Sequence, residues 1–374
     1  MEVSSAEAAL SVSASSIRIT DVTQDGDVLT FAIASQKLNS SAGVCVFRIY
    51  EDFDWLQQSL FSQENLPGLQ GIIFPPLPSK ALPSQSNTQT KALKQLGFLA
   101  LGQDWQSYCK ALEFYLQQVA AHPTLCKCKA LDSFLINSES PGKQRGRKGI
   151  FNRLSQAVEE MRKESHKDVD NFFQNERNKN TNLAALSKVA TEKLLDVVMT
   201  EQKLALACGH FATSLHLCVN QDDAAAVAFS KVCLKLSDVI EAVNRNFEKV
   251  ASNDLSTLGL GLDLESRYQE AEKVWECVLM IACKLIELET VKKGTEKAKA
   301  SKREVMEAFQ KAVEKEFNLI SSVAKQEIER FHSSRVNVLK NFLIGWCELQ
   351  LNTAKEFAEL YSQHLEACRN MYSE

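Results

Sequence analysis

The chain has 374 residues, of which 45% are hydrophobic and 24% are charged, and its formal net charge at pH 7 is −4. The length favours two folding units, and the composition excludes a wholly disordered chain. A slightly acidic chain does not coat nucleic acid. Since no run of about 18 apolar residues occurs, the sequence predicts no membrane-spanning segment.

Residues 1–15 are polar and lack the basic start and apolar stretch of a secretory signal, so we expect this segment to be disordered. The eleven cysteines are an odd number. In a chain without a signal, that count favours free thiols in the reducing cytoplasm over a disulfide framework.

Residues 16–138 have the pattern of an α+β domain that begins with a three-stranded antiparallel sheet. Apolar and polar residues alternate over Ile17–Val22 and Val28–Ala34, and Gly43–Tyr50 is a third strand candidate. A helix, a largely extended proline-rich loop and two more helices follow, over Glu51–Phe61, Leu66–Lys80, Gln103–Val119 and Leu125–Ile136.

The composition changes near Ser138–Gly142. All seven prolines lie at or before Pro141, and only five glycines follow Phe151. Because proline and glycine interrupt helices, residues 165–374 can form long helices. We therefore predict a linker over residues 139–164 and an all-α domain over residues 165–374.

A long apolar stripe crosses the last part of this helical domain. It repeats every eleven residues from Phe309 to Trp346 and is interrupted by Arg335. One helix cannot bury such a stripe alone, and two long segments, Lys167–Val219 and Asp222–Ala300, precede it. The sequence thus predicts a three-helix antiparallel coiled coil, bent near residues 252–261. Arg335 either pairs with an acid across a dimer seam or lies at the edge of the stripe.

Two basic clusters stand out. The linker cluster combines cations with an amphipathic pattern, which is typical of a segment that lies on a membrane surface. Packing of its apolar residues on the helical domain is the alternative. The linker cluster comprises Lys143, Arg145, Arg147, Lys148, Ile150, Phe151, Arg153 and Leu154.

The second basic cluster, here the turn cluster, lies where the sequence predicts the turn between the last two long helices. Glu296 is the single acid within it. Anionic lipid attracts such lysines, although a solvated surface is the alternative. The turn cluster comprises Lys292, Lys293, Lys297, Lys299, Lys302 and Arg303.

The sequence favours a non-enzymatic protein. It contains no glycine-rich phosphate loop, no G-x-S-x-G elbow and no H-E-x-x-H motif. The six histidines are scattered and do not form a recognised metal-ligand pattern. We predict no catalytic residues, no bound metal and no cofactor.

Three spaced motifs carry a family resemblance. Phe47–Leu56 resembles the Arg-[Arg/Lys]-Tyr-x-Asp-Phe-x-x-Leu core of phox-homology (PX) domains, Pro75–Lys80 their P-P-x-x-K loop, and Ala121–Leu125 their H-P-x-L turn. A PX domain followed by a proline-free helical region resembles the sorting nexins with a C-terminal BAR domain. Val169–Phe173 and Arg335–Leu343 look most like the subgroup of sorting nexin-5, sorting nexin-6 and sorting nexin-32.

The chain departs from the PX pattern at the phosphoinositide pocket. Ile49 stands where these domains carry the arginine that grips the 3-phosphate, and about Tyr108 stands where they carry a second one. The residues left for lipid are Arg48, Tyr50 and Lys80, although strand alternation turns Arg48 to the other face. We therefore expect a degenerate pocket without 3-phosphate specificity.

The resemblance implies a peripheral membrane protein of early endosomes and their tubules that senses or induces curvature and retrieves cargo to the Golgi or the cell surface. It implies a heterodimer with a sorting nexin-1 or sorting nexin-2 type partner, anionic membranes as ligand, and cargo tails held in a groove. We assign that groove to Phe98, Leu99, Leu101 and Tyr108. The alternatives are a homodimer that reads phosphoinositides itself and a coiled-coil scaffold that binds no lipid.

Overall fold

The computed structural model describes residues 12–37, 43–62, 70–81, 99, 105–141, 171–217, 224–270 and 273–370. The chain divides into two compact units, residues 1–186 with 264–335 and residues 187–263 with 336–374. These units differ from the predicted domains, since the first unit includes both the α+β region and a part of the helical region.

The predicted antiparallel sheet is confirmed. It contains β1 (Arg18–Asp25), β2 (Val28–Gln36) and β3 (Gly43–Ile49) in that order. On β2, Phe31 lies opposite Arg48 of β3 and points into the core, where it is fully buried. Alternation along β2 buries one face of the sheet under the helices that follow.

Three helices pack against the sheet: α1 (Tyr50–Ser62), α2 (Gln106–Ala121) and α3 (Lys129–Ile136). The Phe53 ring of α1 contacts Phe31 edge-on at 5.8 Å between centroids and Phe134 of α3 at 5.1 Å. This aromatic centre fixes α1, and therefore the residues at its first turn, relative to β3.

Of the segment predicted to be disordered, the structure describes residues 12–15. Residues 1–11 lie outside the described part, but Val12 is 2% exposed and forms a β-bridge with Lys37. A short 3-10 helix, Ala14–Ser16, follows it. Burial of Val12 and hydrogen bonds to Gln36, in which Ser13 and Ser16 take part, hold this short segment against β2.

The helical region contains the three long helical segments that the sequence predicts. They are α4 (Asn171–Leu217), then α5 (Ala224–Asp254), α6 (Leu260–Glu270) and α7 (Lys273–Glu296), and finally the 71-residue α8 (Ala300–Asn370). A π-helical turn, Leu255–Gly259, joins α5 to α6 where the bend was predicted. No helix in the described part is both long and apolar enough to cross a bilayer.

Antiparallel packing is seen within the second unit. Ser237 Oγ donates to the Ala212 carbonyl at 2.8 Å, which joins α5 to α4. Asn253 Nδ2 donates to Thr353 Oγ1 at 2.9 Å, and Trp346 Nε1 to Asp254 Oδ1 at 2.7 Å, which join α5 to α8. Polar residues near the π-helical turn thus fix the register of the coil.

Arg335 has a partner within the chain. Its Nε donates to Glu265 Oε2 at 2.6 Å, and the two side chains are 13% and 6% exposed. The paired acid belongs to α6 of the same unit, so a dimer seam is not needed to satisfy this arginine.

Candidate functional site: a lysine-rich helical turn and a neutralised recess

The proline-rich loop reaches β2 and α1 and closes a recess beside them. Tyr50 Oη donates to the Pro78 carbonyl at 2.8 Å, and Tyr108 Oη donates to the Ser79 carbonyl at 2.9 Å. Burial, together with nearby Asp54 and Glu51, raises the pKa of Tyr50 to about 12. Both phenols therefore stay neutral and hold the loop in place.

The recess carries no excess of positive charge. Its lining includes Asp27, Glu51 and Lys80. The ammonium group of Lys80 is paired with the Glu51 carboxylate. Burial raises the pKa of Glu51, but the hydrogen bond from Lys80 and a backbone bond outweigh it and lower the pKa overall. An incoming phosphate would have to compete with Glu51 for this lysine and would face Asp27 as well.

The structure separates Arg48 from Tyr50 and Lys80. Arg48 is 1% exposed, and its guanidinium donates to the carbonyls of Phe134, Phe47 and Asn137. Burial lowers the pKa of Arg48, although Asp52 partly opposes this. Arg48 was grouped with the lipid ligands, but its donors bind backbone carbonyls in and just after α3 and do not point into the recess.

The residues assigned to a cargo groove do not form an exposed surface where they are described. Leu99 is 3% exposed and Tyr108 is 1% exposed, and the Tyr108 phenol is bonded to the proline-rich loop. Tyr108 therefore supports that loop and forms the floor of the recess. Phe98 and Leu101 lie outside the described residues, so the groove stays a prediction.

The turn cluster lies at the junction that the sequence predicted. α7 ends at Glu296 and α8 begins at Ala300. Thr295 is buried there, and its hydroxyl bonds to the carbonyls of Val291 and Met306, which ties the end of α7 to the start of α8. The turn is therefore anchored by packing, and its charged side chains point outward.

Four cations of the turn cluster have no acidic partner in the described part of the chain: Lys293, Lys297, Lys299 and Lys302, all of them exposed. The other two are paired. Lys292 Nζ lies 3.5 Å from Glu314 Oε1, and Arg303 Nε lies 3.1 Å from Glu307 Oε1. A concentrated surface of uncompensated positive charge results. The linker cluster, residues 143–154, lies outside the described residues.

Sequence reasoning missed a buried polar contact in the first unit. His122 of the H-P-x-L turn and Glu327 of α8 are 3% and 7% exposed, and His122 Nε2 lies 3.0 Å from Glu327 Oε1. His122 Nδ1 accepts from the backbone N–H groups of Thr124 and Leu125, so Nε2 carries the proton and donates. The conspicuous H-P pair was its only signal, because Glu327 lies 205 residues away.

Comparison with known families agrees with this architecture. The PX domain model matches residues 36–138, and the model described as Vps5 C terminal like matches residues 284–367. The chain therefore contains a region that matches PX domains and a region that matches the Vps5 C-terminal family, and it is similar to sorting nexins. Its relatives include human sorting nexin-6, with 24% identity over 335 residues, which span 83% of this chain and 80% of the relative.

Other similar proteins extend the match to nearly the whole chain. Mouse sorting nexin-32 is 26% identical, and the match covers 94% of this chain and 92% of the relative. Human sorting nexin-1 is 24% identical, and the match covers 93% of this chain and 71% of the relative. The solved SNX-BAR Mvp1 tetramer has a TM-score of 0.52 and 16% identity over 94% of this chain and all of that one, which supports the fold.

The chain is thus similar to sorting nexins over nearly its whole length, and its fold is similar to that of an SNX-BAR protein. Of its two candidate surfaces, the turn cluster has the charge that membrane binding requires, whereas the recess lacks the charge that phosphate recognition requires.

Proposed function

We propose that this chain acts as a sorting nexin that binds anionic membranes of early endosomes chiefly through its helical region, dimerises there, and uses its PX domain to hold cargo tails instead of reading a 3-phosphate. The observation that carries the proposal is the set of four exposed lysines without acidic partners in the described structure, at the turn between α7 and α8.

The magnitude is sufficient for membrane recruitment. An anionic cytoplasmic leaflet attracts each nearby lysine by about 1 kcal/mol, so four give roughly 4 kcal/mol per chain. A dimer presents this charge twice, and the second contact benefits from the first. Because the charges are exposed, the attraction weakens as salt shortens the screening length from about 8 Å at physiological ionic strength.

The test is sedimentation of the full chain with phosphatidylserine-containing vesicles. Reversal of Lys293, Lys297, Lys299 and Lys302 to Glu should abolish sedimentation. The matched control reverses four exposed lysines elsewhere on the helices, namely Lys203, Lys231, Lys340 and Lys355. Equal loss in both variants would show that overall charge, and not the turn, controls binding. Full binding by the turn variant would mean that the membrane contact lies elsewhere on the chain, and failure of the wild type to sediment would favour a scaffold that binds no lipid.

The recess supports the second part of the proposal. Ile49 supplies no donor for a phosphate, Lys80 is neutralised by Glu51, and Arg48 is used by the protein backbone. Vesicles of equal total charge, with and without phosphatidylinositol 3-phosphate, should therefore bind the protein equally well. A clear preference for the 3-phosphate that Lys80→Ala removes would instead favour the alternative in which the protein reads phosphoinositides directly.

Exposed apolar residues on the second unit support dimerisation. On α4, Val197, Leu204 and Phe211 recur every seven residues and are 47%, 44% and 50% exposed. On α8, Ile344 and Leu351 are also seven residues apart and are 45% and 55% exposed. Seven-residue spacing of exposed apolar side chains is the pattern of a helix face that packs on another helix.

Light scattering tests the partner choice. The purified chain is measured alone and then mixed with sorting nexin-1, a relative with a BAR domain. We expect a heterodimer with a sorting nexin-1 or sorting nexin-2 type partner and its loss with Leu204→Glu and Leu351→Glu. A stable homodimer that sorting nexin-1 does not exchange would favour the homodimeric alternative.

Cargo retrieval to the Golgi or the cell surface is the finer part of the proposal and follows the family resemblance. Crosslinking in cells, followed by mass spectrometry, should join the cytoplasmic tails of transmembrane proteins to residues 16–138. Crosslinks confined to residues 165–374 would contradict a cargo role for the PX domain.

Deletion of the linker cluster should weaken recruitment to endosomes if those residues also contact the membrane.

A further inference from the structure

The first turns of α8 leave an apolar face uncovered directly beside the turn cluster. Val305 is 71% exposed and Phe309 is 51% exposed, and Ala308 and Ala312 are exposed as well. These residues are spaced i, i+3, i+4 and i+7, which places them on one side of a helix. The sequence repeat predicted that Phe309 would be buried, but burial on that stripe begins at Val313, which is 5% exposed.

The neighbouring face of α8 packs against α7. Met306 lies against the backbone at Gly294, where an added Cβ would come within 3.4 Å of its methyl group, and Val313 is buried. Contact with α7 therefore occupies that side and leaves the face of Val305 and Phe309 open. The face ends before Glu316, whose carboxylate lies 3.0 Å from Lys284 Nζ.

The charges next to this face select its occupant. Lys299 and Lys302 precede it within two turns of helix, and neither has an acidic partner in the part of the chain that the structure describes. Apolar side chains flanked by unpaired lysines match an anionic bilayer, since the lysines contact headgroups while the apolar face enters the acyl boundary. A protein partner would instead be expected to supply acids to these lysines.

We propose that Val305, Ala308, Phe309 and Ala312 form an apolar wedge that enters the facing leaflet of an anionic membrane when the turn cluster binds it. This inference rests on the membrane binding proposed above and adds to it. From Val305 to Ala312 the wedge extends about 10 Å along the helix axis. Insertion of this wedge displaces headgroups in one leaflet only, a change that favours curvature.

Tryptophan quenching tests the wedge on the full chain. Phe309→Trp is mixed with phosphatidylserine and phosphatidylcholine vesicles whose acyl chains carry bromine. We expect a blue shift and quenching beyond that of the wild type, which contains four native tryptophans. Gln310→Trp, at a partly exposed position on the opposite side of α8, is the matched control and should not be quenched.

The outcomes separate the wedge from the underlying proposal. If the wild type does not sediment with these vesicles, the proposed membrane binding itself is wrong. If Phe309→Trp sediments but its quenching equals that of the wild type and of Gln310→Trp, only the wedge is wrong.

A second variant checks the energetic role. Val305→Ser with Phe309→Ser changes exposed residues only, so the fold should be retained. At about 1 M salt, where the screening length is about 3 Å, its vesicle binding should be about tenfold or more weaker than that of the wild type. Unchanged binding overturns the wedge. Conversion of a dimer to a monomer by this variant, in the absence of lipid, would show that the face binds a second copy and would also overturn it.

Discussion

Glu327 offers a test of how the PX domain is held against α8. Its carboxylate accepts from His122 Nε2 at 3.0 Å, from Arg330 Nε at 2.8 Å and from the Ile73 backbone N–H at 3.4 Å. Beside it, an added Cβ at Gly71 would lie 3.1 Å from Ala324, and Gly71 has a φ of 86°. Only glycine fits this close approach without strain, so the loop and helix are in direct contact.

The structure gives the size of the effect. Burial would raise the pKa of Glu327, but the bonds from Arg330 and His122 outweigh it and lower the pKa from 4.5 to about 2. Since tenfold in proton affinity is worth about 1.4 kcal/mol, the ionised carboxylate stabilises the folded state by about 3 kcal/mol near neutral pH. Because the pKa is depressed, this contribution is complete above pH 4.5 and is lost as the pH falls towards 2.

Glu327→Gln should therefore lower the free energy of unfolding by about 3 kcal/mol near pH 7, and by only about 1 kcal/mol near pH 3. Urea unfolding of both proteins, followed by circular dichroism and tryptophan emission, measures this difference. The two proteins share all other carboxylates, so the contributions of those groups to the pH dependence cancel. Glu329→Gln, an exposed site on the same helix, is the control and should have little effect. If the unfolding free energies of the wild type and Glu327→Gln fall in parallel as the pH falls, the pKa of Glu327 is not depressed in the folded state.

Three further predictions concern buried contacts. Arg335→Ala removes the hydrogen-bonded ion pair between Arg335 and the buried Glu265 carboxylate and should cost about 2–3 kcal/mol of unfolding free energy, measured by urea titration. Gly261→Ala places a Cβ 2.7 Å from the Phe342 ring and should cost about 1–3 kcal/mol, whereas Gly345→Ala, with its nearest atom 3.9 Å away, should not lower the thermal midpoint. Arg48→Ala should lower the free energy of unfolding by about 3 kcal/mol and leave vesicle binding of the folded fraction unchanged, because the guanidinium donates to backbone carbonyls. Weaker vesicle binding without a loss of stability would contradict this.

Local patterns were enough to predict most of the elements. Alternation predicted β1, β2 and β3 to within a few residues, since a sheet with one buried face requires that pattern. The absence of proline after Pro141 predicted α4 to α8, because nothing in that stretch prevents backbone hydrogen bonding along a helix. The helix boundary at the turn cluster was also foreseen, from Gly294 and the apolar-poor residues after it.

Predictions about individual side chains were less successful, because burial depends on distant neighbours. Tyr108 was assigned to a cargo groove, which stays a prediction; in the structure it is buried, and its hydroxyl donates to the Ser79 carbonyl. Phe309 fits the apolar repeat, yet half of its side chain is exposed. Periodicity gives the face of a helix but does not give the residues that pack against it.

The amino-acid order thus determined where strands and helices form, where the chain turns basic, and that Ile49 removes a phosphate donor, since these depend on residues close together in the chain. The tertiary structure alone decided which charges are compensated. Lys80 is neutralised by Glu51, Arg335 by Glu265 and His122 is bonded to Glu327, whereas Lys297 and Lys299 meet no acid in the described structure. A charge acts on a membrane only when folding leaves it unpaired, and pairing over 29 to 205 residues is a property of the fold.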